Sequence, residues 1–205
     1  MCYRILGFLI PIVFFLIPGR ASSANDLVCK PISFLSIPQT VHPPDIDGRL
    51  DDPCWKNGVK LDDFVLTAGK PGQPPLNRTH CILLFDATHL YISFECLDTN
   101  MSKIKAGTNI WDDSDILYDD RVVVFLDINH DHRSYFELAV NPKGIQFDQS
   151  GYYRLHGSRT SYMDPGWNCF WRAKTHVEND KWTVEIAIDV TSLGIPKIVE
   201  GQTWG

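Results

Sequence analysis

Three tryptophans stand beside polar residues and are the side chains best suited to bind a ligand. They are Trp111, Trp167 and Trp171. An exposed aromatic ring flanked by hydrogen-bonding groups suits a ligand that has flat apolar faces and a rim of polar groups. The alternative is that these rings belong to the hydrophobic core. We expect a core position for Trp55 and Trp182, because both lie inside apolar patterns.

The polar rim of such a site would come from amide, guanidinium and hydroxyl groups. The candidates are Arg121, Asn141 and Gln149, with Tyr152 and Tyr153 as further hydroxyl groups. An amide both donates and accepts hydrogen bonds, and a guanidinium offers a fixed fork of donors, so both match the polar groups of such a ligand. The sequence therefore predicts a binding site built from aromatic, amide and guanidinium side chains.

Carboxylates at strand ends and in loops are a second group with possible chemistry. Asp86, Asp98 and Asp127 offer the hard oxygen ligands that Ca²⁺ prefers, and an ion held there would brace loops. The sequence has no D-x-[DN]-x-[DN]-G calcium loop, and acidic loops are usually solvated surface. We therefore expect no required cofactor, with a structural calcium as the one metal to test.

Motifs of common hydrolases are missing from the sequence. It contains no G-x-S-x-G nucleophile elbow, no H-E-x-x-H helix and no evident pair of acid and nucleophile. A glycosidase pair remains an alternative because aspartates are numerous. The histidines of residues 129–132 lie among turn-forming residues, which favours a hairpin loop over a metal site. We expect a binding module and not an enzyme.

The elements that must position these residues are predicted to be β-strands. Runs rich in apolar and β-branched residues, bounded by Asn, Asp, Gly or Pro, predict strands over residues 79–85, 90–97, 122–127, 134–140, 145–149, 170–177 and 182–188. No helical stripe of ten or more residues appears, so the predicted fold is all-β, an antiparallel two-sheet β-sandwich of jelly-roll-like type. In the last strand the alternation places Thr183, Glu185 and Ala187 on a face that we expect to remain unburied.

The N-terminal residues are typical of a targeting segment. An apolar run over residues 5–17 follows a basic residue and precedes small residues, which predicts signal-peptide cleavage after Ala24. An uncleaved membrane anchor is the alternative, disfavoured because prolines interrupt the apolar stretch. We expect residues 1–24 to be removed, residues 25–44 to form an extended lead-in, and a secreted, periplasmic or cell-surface protein.

The charge of the chain bears on its partners. Its 205 residues include 25 acidic and 19 basic side chains, a formal net charge of -6. Nucleic acids are bound by clusters of Lys and Arg, whereas the charge clusters here, at residues 112–115 and 119–120, are acidic. We expect a cation or a neutral ligand, no nucleic-acid partner, no membrane association after cleavage, and a monomer of one domain.

Five cysteines remain after the predicted cleavage, and none forms a C-x-x-C pair. An odd number leaves at least one thiol unpaired within the chain. Cys81 and Cys96 lie in adjacent predicted strands, where a cross-strand disulfide or two buried thiols would both fit. We favour the buried thiols.

A series of motifs resembles carbohydrate-binding module family 9. Residues 46–55, I-D-G-R-L-D-D-P-C-W, are similar to the family's opening I-D-G-x-L-D-(D/E)-x-x-W pattern. Further matching pieces follow in the family's order at residues 85–92, 111–115, 125–127, 135–141, 167–171, 182–188 and 204–205. The resemblance covers about residues 45–205, which we expect to be one domain truncated at its C-terminal end.

The resemblance implies an antiparallel β-sandwich that binds sugar and is attached to, or acts beside, a secreted enzyme that degrades polysaccharides. It also agrees with a structural calcium. Val123 stands where the family has an acidic residue in a D-x-V-E strand, and the family usually runs on beyond the point that corresponds to Trp204 and Gly205.

Two alternatives remain open on the sequence alone. Related β-sandwiches hold haem between Met and His ligands for electron transfer, and Met101 or Met163 could pair with His156 or His176. The c-type C-x-x-C-H attachment motif is missing from the sequence. The other alternative is a structural sandwich that binds no ligand.

Overall fold

The computed structural model describes residues 6–8, 35–153 and 161–205. Its strands are β1 (Leu6–Phe8), β2 (Leu35–Ile37), β3 (Val59–Leu61), β4 (Thr79–Phe85), β5 (His89–Leu97), β6 (Val122–Leu126), β7 (Ser134–Val140), β8 (Gln146–Tyr153), β9 (Ser161–Asp164), β10 (Trp171–Val177) and β11 (Lys181–Asp189). Short 3-10 turns cover Pro53–Asn57, Met101–Lys103, Ser114–Tyr118 and Val190–Leu193. Over these ranges no helix is long and apolar enough to cross a membrane. Apart from β1, the predicted leader lies outside the described residues.

Two antiparallel sheets face each other. One has the strand order β10-β11-β5-β4-β3, and the other has the order β6-β7-β8-β9, while β1 pairs with β2. The all-β class and the two-sheet sandwich predicted from the sequence are confirmed. Strands β3 and β9 were not predicted, because three and four residues are too few to display a clear alternation.

The main core lies between the two sheets and follows from the alternation of side chains along each strand. Val184 and Ile186 of β11 point inward and meet Leu138 and Val140 of β7, and all four are fully buried. Successive side chains of a strand point to opposite faces, so the residues between these form the outer faces of the sandwich. Burial of each such side chain contributes about 1.5–3 kcal/mol.

The outer face of the five-stranded sheet is also buried, which corrects one expectation. Thr183, Glu185 and Ala187 are only 4%, 0% and 1% exposed. The reason is that Ile46, Cys54 and Trp55 pack over this face in a small second core with Leu84, Tyr91 and Ala187. A sequence pattern shows which side chains share a face, but it does not show which segment folds back to cover that face.

Part of the predicted lead-in belongs to the domain. Ile37 of β2 is 1% exposed and packs in the main core. The chain then runs beside β4, where the Thr40 N–H donates to the Phe85 carbonyl at 2.7 Å and the Phe85 N–H donates to the Pro38 carbonyl at 3.2 Å. These contacts fix the strand that precedes the I-D-G motif.

The described cysteines are free thiols, as favoured from the sequence. Cys81 pairs across the sheet with Phe94, and Cys96 pairs with Thr79, so the two thiols are not directly opposite each other. Cys81 is buried, and burial raises the pKa of the Cys96 thiol to about 12. Such thiols behave as apolar core atoms at neutral pH.

Candidate functional site

Glu185 is a buried carboxylate on the outer face of the five-stranded sheet, beneath the segment that covers this face. Its Oε2 atom accepts hydrogen bonds from the Asp47 N–H at 3.0 Å and the Gly48 N–H at 2.9 Å, and its Oε1 atom accepts from Trp55 Nε1 at 2.8 Å. Burial raises the pKa of Glu185 and these three bonds oppose the rise. The I-D-G and Trp55 parts of the opening motif therefore serve to bind a buried carboxylate, and both oxygens of that carboxylate are bonded to the segment that covers them.

Gly48 has to be glycine for two independent reasons. Its φ of +92° lies in the left-handed region, and an added Cβ would lie 2.6 Å from the Thr175 carbonyl carbon. The Gly48 carbonyl accepts a 2.6 Å hydrogen bond from the Thr183 hydroxyl. Both the N–H and the carbonyl group of Gly48 are therefore hydrogen-bonded to side chains of the sheet.

The outer face of the four-stranded sheet contains a second buried glutamate in a different setting. Glu137 of β7 lies directly opposite Gln149 of β8, and the Gln149 Nε2 atom donates to Glu137 Oε2 at 2.5 Å. The same Nε2 atom lies 3.6 Å from the Met163 sulfur. Burial raises the pKa of Glu137, against the opposing effects of the Gln149 hydrogen bond and the Arg121 charge.

Polar atoms on this face lack partners within the described ranges. The Arg121 Nε atom is buried and makes no hydrogen bond, although the Nη1 atom donates to the carbonyls of Leu117 at 2.7 Å and Asp119 at 3.1 Å. Within those ranges, no hydrogen bond to Oε1 of Glu137 or Oε1 of Gln149 is found, and these two oxygens, unlike the Arg121 Nε atom, are not completely buried. Buried polar groups are normally paired, so unused capacity at neighbouring groups is typical of a ligand site.

A loop beside these groups exposes large apolar side chains. Exposed fractions are 65% for Ile110, 56% for Trp111, 40% for Leu117 and 82% for Tyr118. Trp111 lies next to β8, because the N–H of the following residue, Asp112, donates to the Gln146 carbonyl. The loop therefore supplies two accessible aromatic rings at the margin of the four-stranded sheet.

Asp119 anchors that loop. Its carboxylate accepts hydrogen bonds from the Gly107 N–H at 2.6 Å, the Thr108 N–H at 3.1 Å and the Asn141 Nδ2 atom at 2.9 Å. Burial raises the pKa of Asp119, but the hydrogen bonds outweigh burial and the net shift is downward. Asn141, predicted as a rim residue, is 0% exposed and is used in this anchor.

The loop encloses an open cleft of about 390 Å³. Tyr118 forms an aromatic wall, and Asn109, Asp113 and Asp115 contribute polar groups to the lining. Lys143 reaches the cleft's edge through a 2.8 Å hydrogen bond from Nζ to Asn109 Oδ1. A volume of this size lies within the range of small-molecule sites.

The structure separates the three predicted tryptophans. Trp111 is well exposed, whereas Trp167 is half-buried and stacks on Phe136 with ring centroids 4.4 Å apart. Trp171 is 8% exposed, and its Nε1 atom donates to Asp148 at 2.6 Å. Trp111 is thus the well-exposed member of the trio, and it lies at the margin of the four-stranded sheet that carries Glu137 and Gln149 on its outer face. The buried ring of Trp171 offers little of its face to a ligand.

Tyr118, the most exposed aromatic side chain of the loop, was not singled out from the sequence. It ends a 3-10 turn whose buried residue is Ile116. Ile116 packs on Ala139 and Phe147 of the outer face, which turns Tyr118 outward. The sequence shows only that Tyr118 is an aromatic residue between Leu117 and two aspartates. This pattern does not indicate whether its side chain points toward solvent or toward the core.

The carboxylates considered for calcium lie in three different loops and are occupied by the chain itself. Asp86 accepts from the Thr88 and His89 N–H groups and the Tyr91 hydroxyl. Asp98 accepts from the Asn100 N–H, and Asp127 accepts from the N–H groups of residues 131 and 132. Over the described ranges, no three His, Cys, Asp or Glu side chains cluster as metal ligands. These residues therefore do not fit a shared calcium site.

The possible haem ligands are also dispersed. Met101 packs against the main core, whereas Met163 is 50% exposed and contacts Gln149 on the outer face. His176 belongs to β10 of the other sheet, and His156 lies outside the described residues. No observation favours the haem alternative.

Comparison with known proteins shows which family and which solved structures this chain is similar to. The model of the carbohydrate family 9 binding domain-like family matches residues 46–205. A family 9 carbohydrate-binding module from Caldicellulosiruptor kristjanssonii in complex with glucose is 21% identical, with a TM-score of 0.57, covering 82% of this chain and 74% of that one. A module from the same organism in complex with cellotriose is 22% identical, with a TM-score of 0.51, covering 75% and 66%. No curated protein matched.

Proposed function

This chain belongs to the carbohydrate family 9 binding domain-like family, and on that premise we propose that it binds a saccharide on the outer side of its four-stranded sheet. The observation that carries the proposal is the unused hydrogen-bonding capacity of Arg121, Glu137 and Gln149 beside exposed aromatic rings. A sugar ring needs both features, a flat apolar contact and polar partners for its hydroxyl groups.

In the proposed complex, a sugar face stacks on Trp111 or Tyr118. Its hydroxyl groups donate to the Oε1 atoms of Glu137 and Gln149 and accept from the Arg121 guanidinium. Similarity of fold to modules in complex with glucose and with cellotriose supports a saccharide ligand. The family is one of binding domains, so we expect binding without turnover.

The wider role that we propose is delivery of an enzyme to its substrate. An exported module that holds polysaccharide weakly would raise the local concentration of an attached or neighbouring glycoside hydrolase. Export rests on the predicted leader, and N-terminal sequencing of secreted protein tests it. A chain that begins at Asn25 is the expected result, and retention of residues 1–24 would contradict it.

Isothermal titration calorimetry of the purified protein with glucose, cellobiose, xylobiose and soluble xylan tests the proposed function. Saturable heat is expected, and Trp111→Ala or Tyr118→Ala should weaken binding by about 1–3 kcal/mol, by analogy with stacking on other flat ligands. Phe170→Ala is the matched control, because Phe170 is 76% exposed and lies next to β10 of the other sheet.

Three further outcomes decide between the alternatives. No heat from a folded sample, with or without calcium, would favour a structural sandwich without ligand. Heat that appears only with calcium would reveal a metal requirement that no cluster among the described carboxylates explains. A Soret absorption band on purification would instead support the haem alternative.

A further inference from the structure

The Glu137 carboxylate determines the orientation of the Gln149 amide. An ionised carboxylate only accepts hydrogen bonds, so the amide atom that faces Glu137 Oε2 at 2.5 Å must be the NH₂ group. The same group lies 3.6 Å from the sulfur of Met163, which is also a weak acceptor. Two acceptors thus hold the nitrogen, and the Gln149 carbonyl oxygen is left as the free end.

This arrangement gives the floor of the site, formed by Glu137 and Gln149, acceptors only, while Arg121 at its side keeps an unpaired Nε donor. The two residues are directly opposite each other on β7 and β8, so their Cβ atoms lie about 4.5–5.5 Å apart. Each presents an Oε1 acceptor that has no partner within the described ranges. A ligand on this floor has to supply hydrogen-bond donors.

We propose that Glu137 is a specificity-determining residue, which fixes the Gln149 carbonyl toward the ligand so that the site selects sugars with hydroxyl donors and rejects acidic sugars. This inference rests on the proposed saccharide site. Arg121 is the cation whose charge acts on Glu137, and its Nη1 atom already donates to two backbone carbonyls, which leaves the Nε atom as the donor open to a neutral hydroxyl group. The acidic runs 112–115 and 119–120 on the adjoining loop further oppose a carboxylate on the ligand.

The residue's contribution is tested by a substitution that keeps its shape. Glu137→Gln replaces an obligate acceptor with an amide that donates as well as accepts, so the Gln149 amide is free to turn over. Glu95→Gln is the control, because Glu95 lies on β5 of the other sheet and pairs with Lys181. Both variants remove one negative charge, so a difference between them reports position and not net charge.

The experiment compares glucose with its monodeoxy analogues and with glucuronic acid by calorimetry. For the parent and for Glu95→Gln, we expect glucuronic acid and at least one deoxy analogue to bind roughly tenfold more weakly than glucose, the loss expected for one hydrogen bond to a charged acceptor. For Glu137→Gln we expect both differences to shrink to less than about threefold.

A second measurement keeps the inference testable if Glu137→Gln does not fold. Protonated Glu137 becomes a donor, so acidic pH should turn the Gln149 amide in the parent and reduce its selectivity between glucose and the deoxy analogue. Selectivity that survives both the substitution and the acid would overturn the inference. Unchanged glucose affinity in Gln149→Ala, Trp111→Ala and Tyr118→Ala would instead overturn the proposed site itself, and this inference with it.

Discussion

The two outer faces of the sandwich each bury a glutamate, and the two glutamates have opposite surroundings. Glu185 on the five-stranded sheet accepts three N–H groups from the segment that covers it. Glu137 on the four-stranded sheet accepts one, from Gln149. A buried acid with both oxygens bonded to the chain holds the fold together, whereas a buried acid with one oxygen left unbonded can accept a hydrogen bond from a ligand.

The aromatic residues of the two faces should show the largest difference. Trp55 is 2% exposed and Tyr118 is 82% exposed. Trp55→Ala should lower the free energy of unfolding by about 3–5 kcal/mol, because it opens a cavity and leaves Glu185 Oε1 without its donor. Tyr118→Ala should change it by less than about 0.5 kcal/mol. Urea unfolding measures both, and similar losses would contradict the assignment of the two faces.

Removal of the two carboxylates should give the next largest difference. Glu185→Ala leaves three N–H groups unpaired, of which those of Gly48 and Trp55 are buried, and should cost about 3 kcal/mol or more. Glu137→Ala leaves one amide unpaired and should cost about 1 kcal/mol. Equilibrium unfolding again provides the comparison, and a larger loss for Glu137→Ala would reverse the roles proposed for the two acids.

The glycine that closes the five-stranded face should show a smaller effect. Gly48→Ala combines a φ of +92° with a Cβ 2.6 Å from the Thr175 carbonyl carbon, and should cost about 2–3 kcal/mol. Gly72→Ala is a sharp control, because Gly72 has a φ of +80° but no atom within 4 Å of the added Cβ. Thermal unfolding should show a loss of about 1 kcal/mol in the free energy of unfolding for Gly72→Ala. Equal losses for the two variants would mean that the contact of the added Cβ with Thr175 of β10 does not contribute to the cost.

The smallest expected effect is a pH dependence of the open face. Burial raises the pKa of folded Glu137, so its contribution to stability is fully present below its unfolded pKa of about 4.3 and is lost as pH rises through the folded pKa. The side chain introduced by Glu137→Gln does not titrate, so the stability of the variant relative to the parent should rise as the pH is raised above about 4.3. The pKa of Glu185 is raised in the parent and in the variant alike, so its contribution cancels from the difference in stability. A relative stability that falls with pH would contradict the burial.

Several features of the fold followed from local patterns in the sequence. Strands β4, β5, β6, β7, β10 and β11 were predicted to within one residue, because each is bounded by turn-forming residues, whereas β8 extends four residues beyond its predicted end. The free thiols at Cys81 and Cys96 were also favoured correctly. Of the predicted site residues, the structure brings Trp111, Arg121 and Gln149 to one side of the four-stranded sheet, and their role as ligand contacts stays a prediction.

The rest depended on contacts between distant parts of the chain. Glu137 was predicted only as a strand residue, and Asn141 was expected at a ligand site where it instead holds Asp119, 22 residues away. Glu185 accepts hydrogen bonds from Asp47, Gly48 and Trp55, which lie more than 120 residues before it in the chain. No local pattern contains such a partner, because it is chosen by how the two sheets and their covering loops pack.

The sequence by itself determined the class of fold and the alternation of each long strand, because both follow from the period of two that a pleated backbone imposes on neighbouring side chains. Only the tertiary structure decided which outer face is closed and which is open. Residues 45–57 fold back over one sheet and saturate its buried acid, while the loop over the other sheet leaves an acceptor of Glu137 free. Burial and hydrogen-bond satisfaction are properties of the assembled chain, and they separate a structural carboxylate from one available for binding.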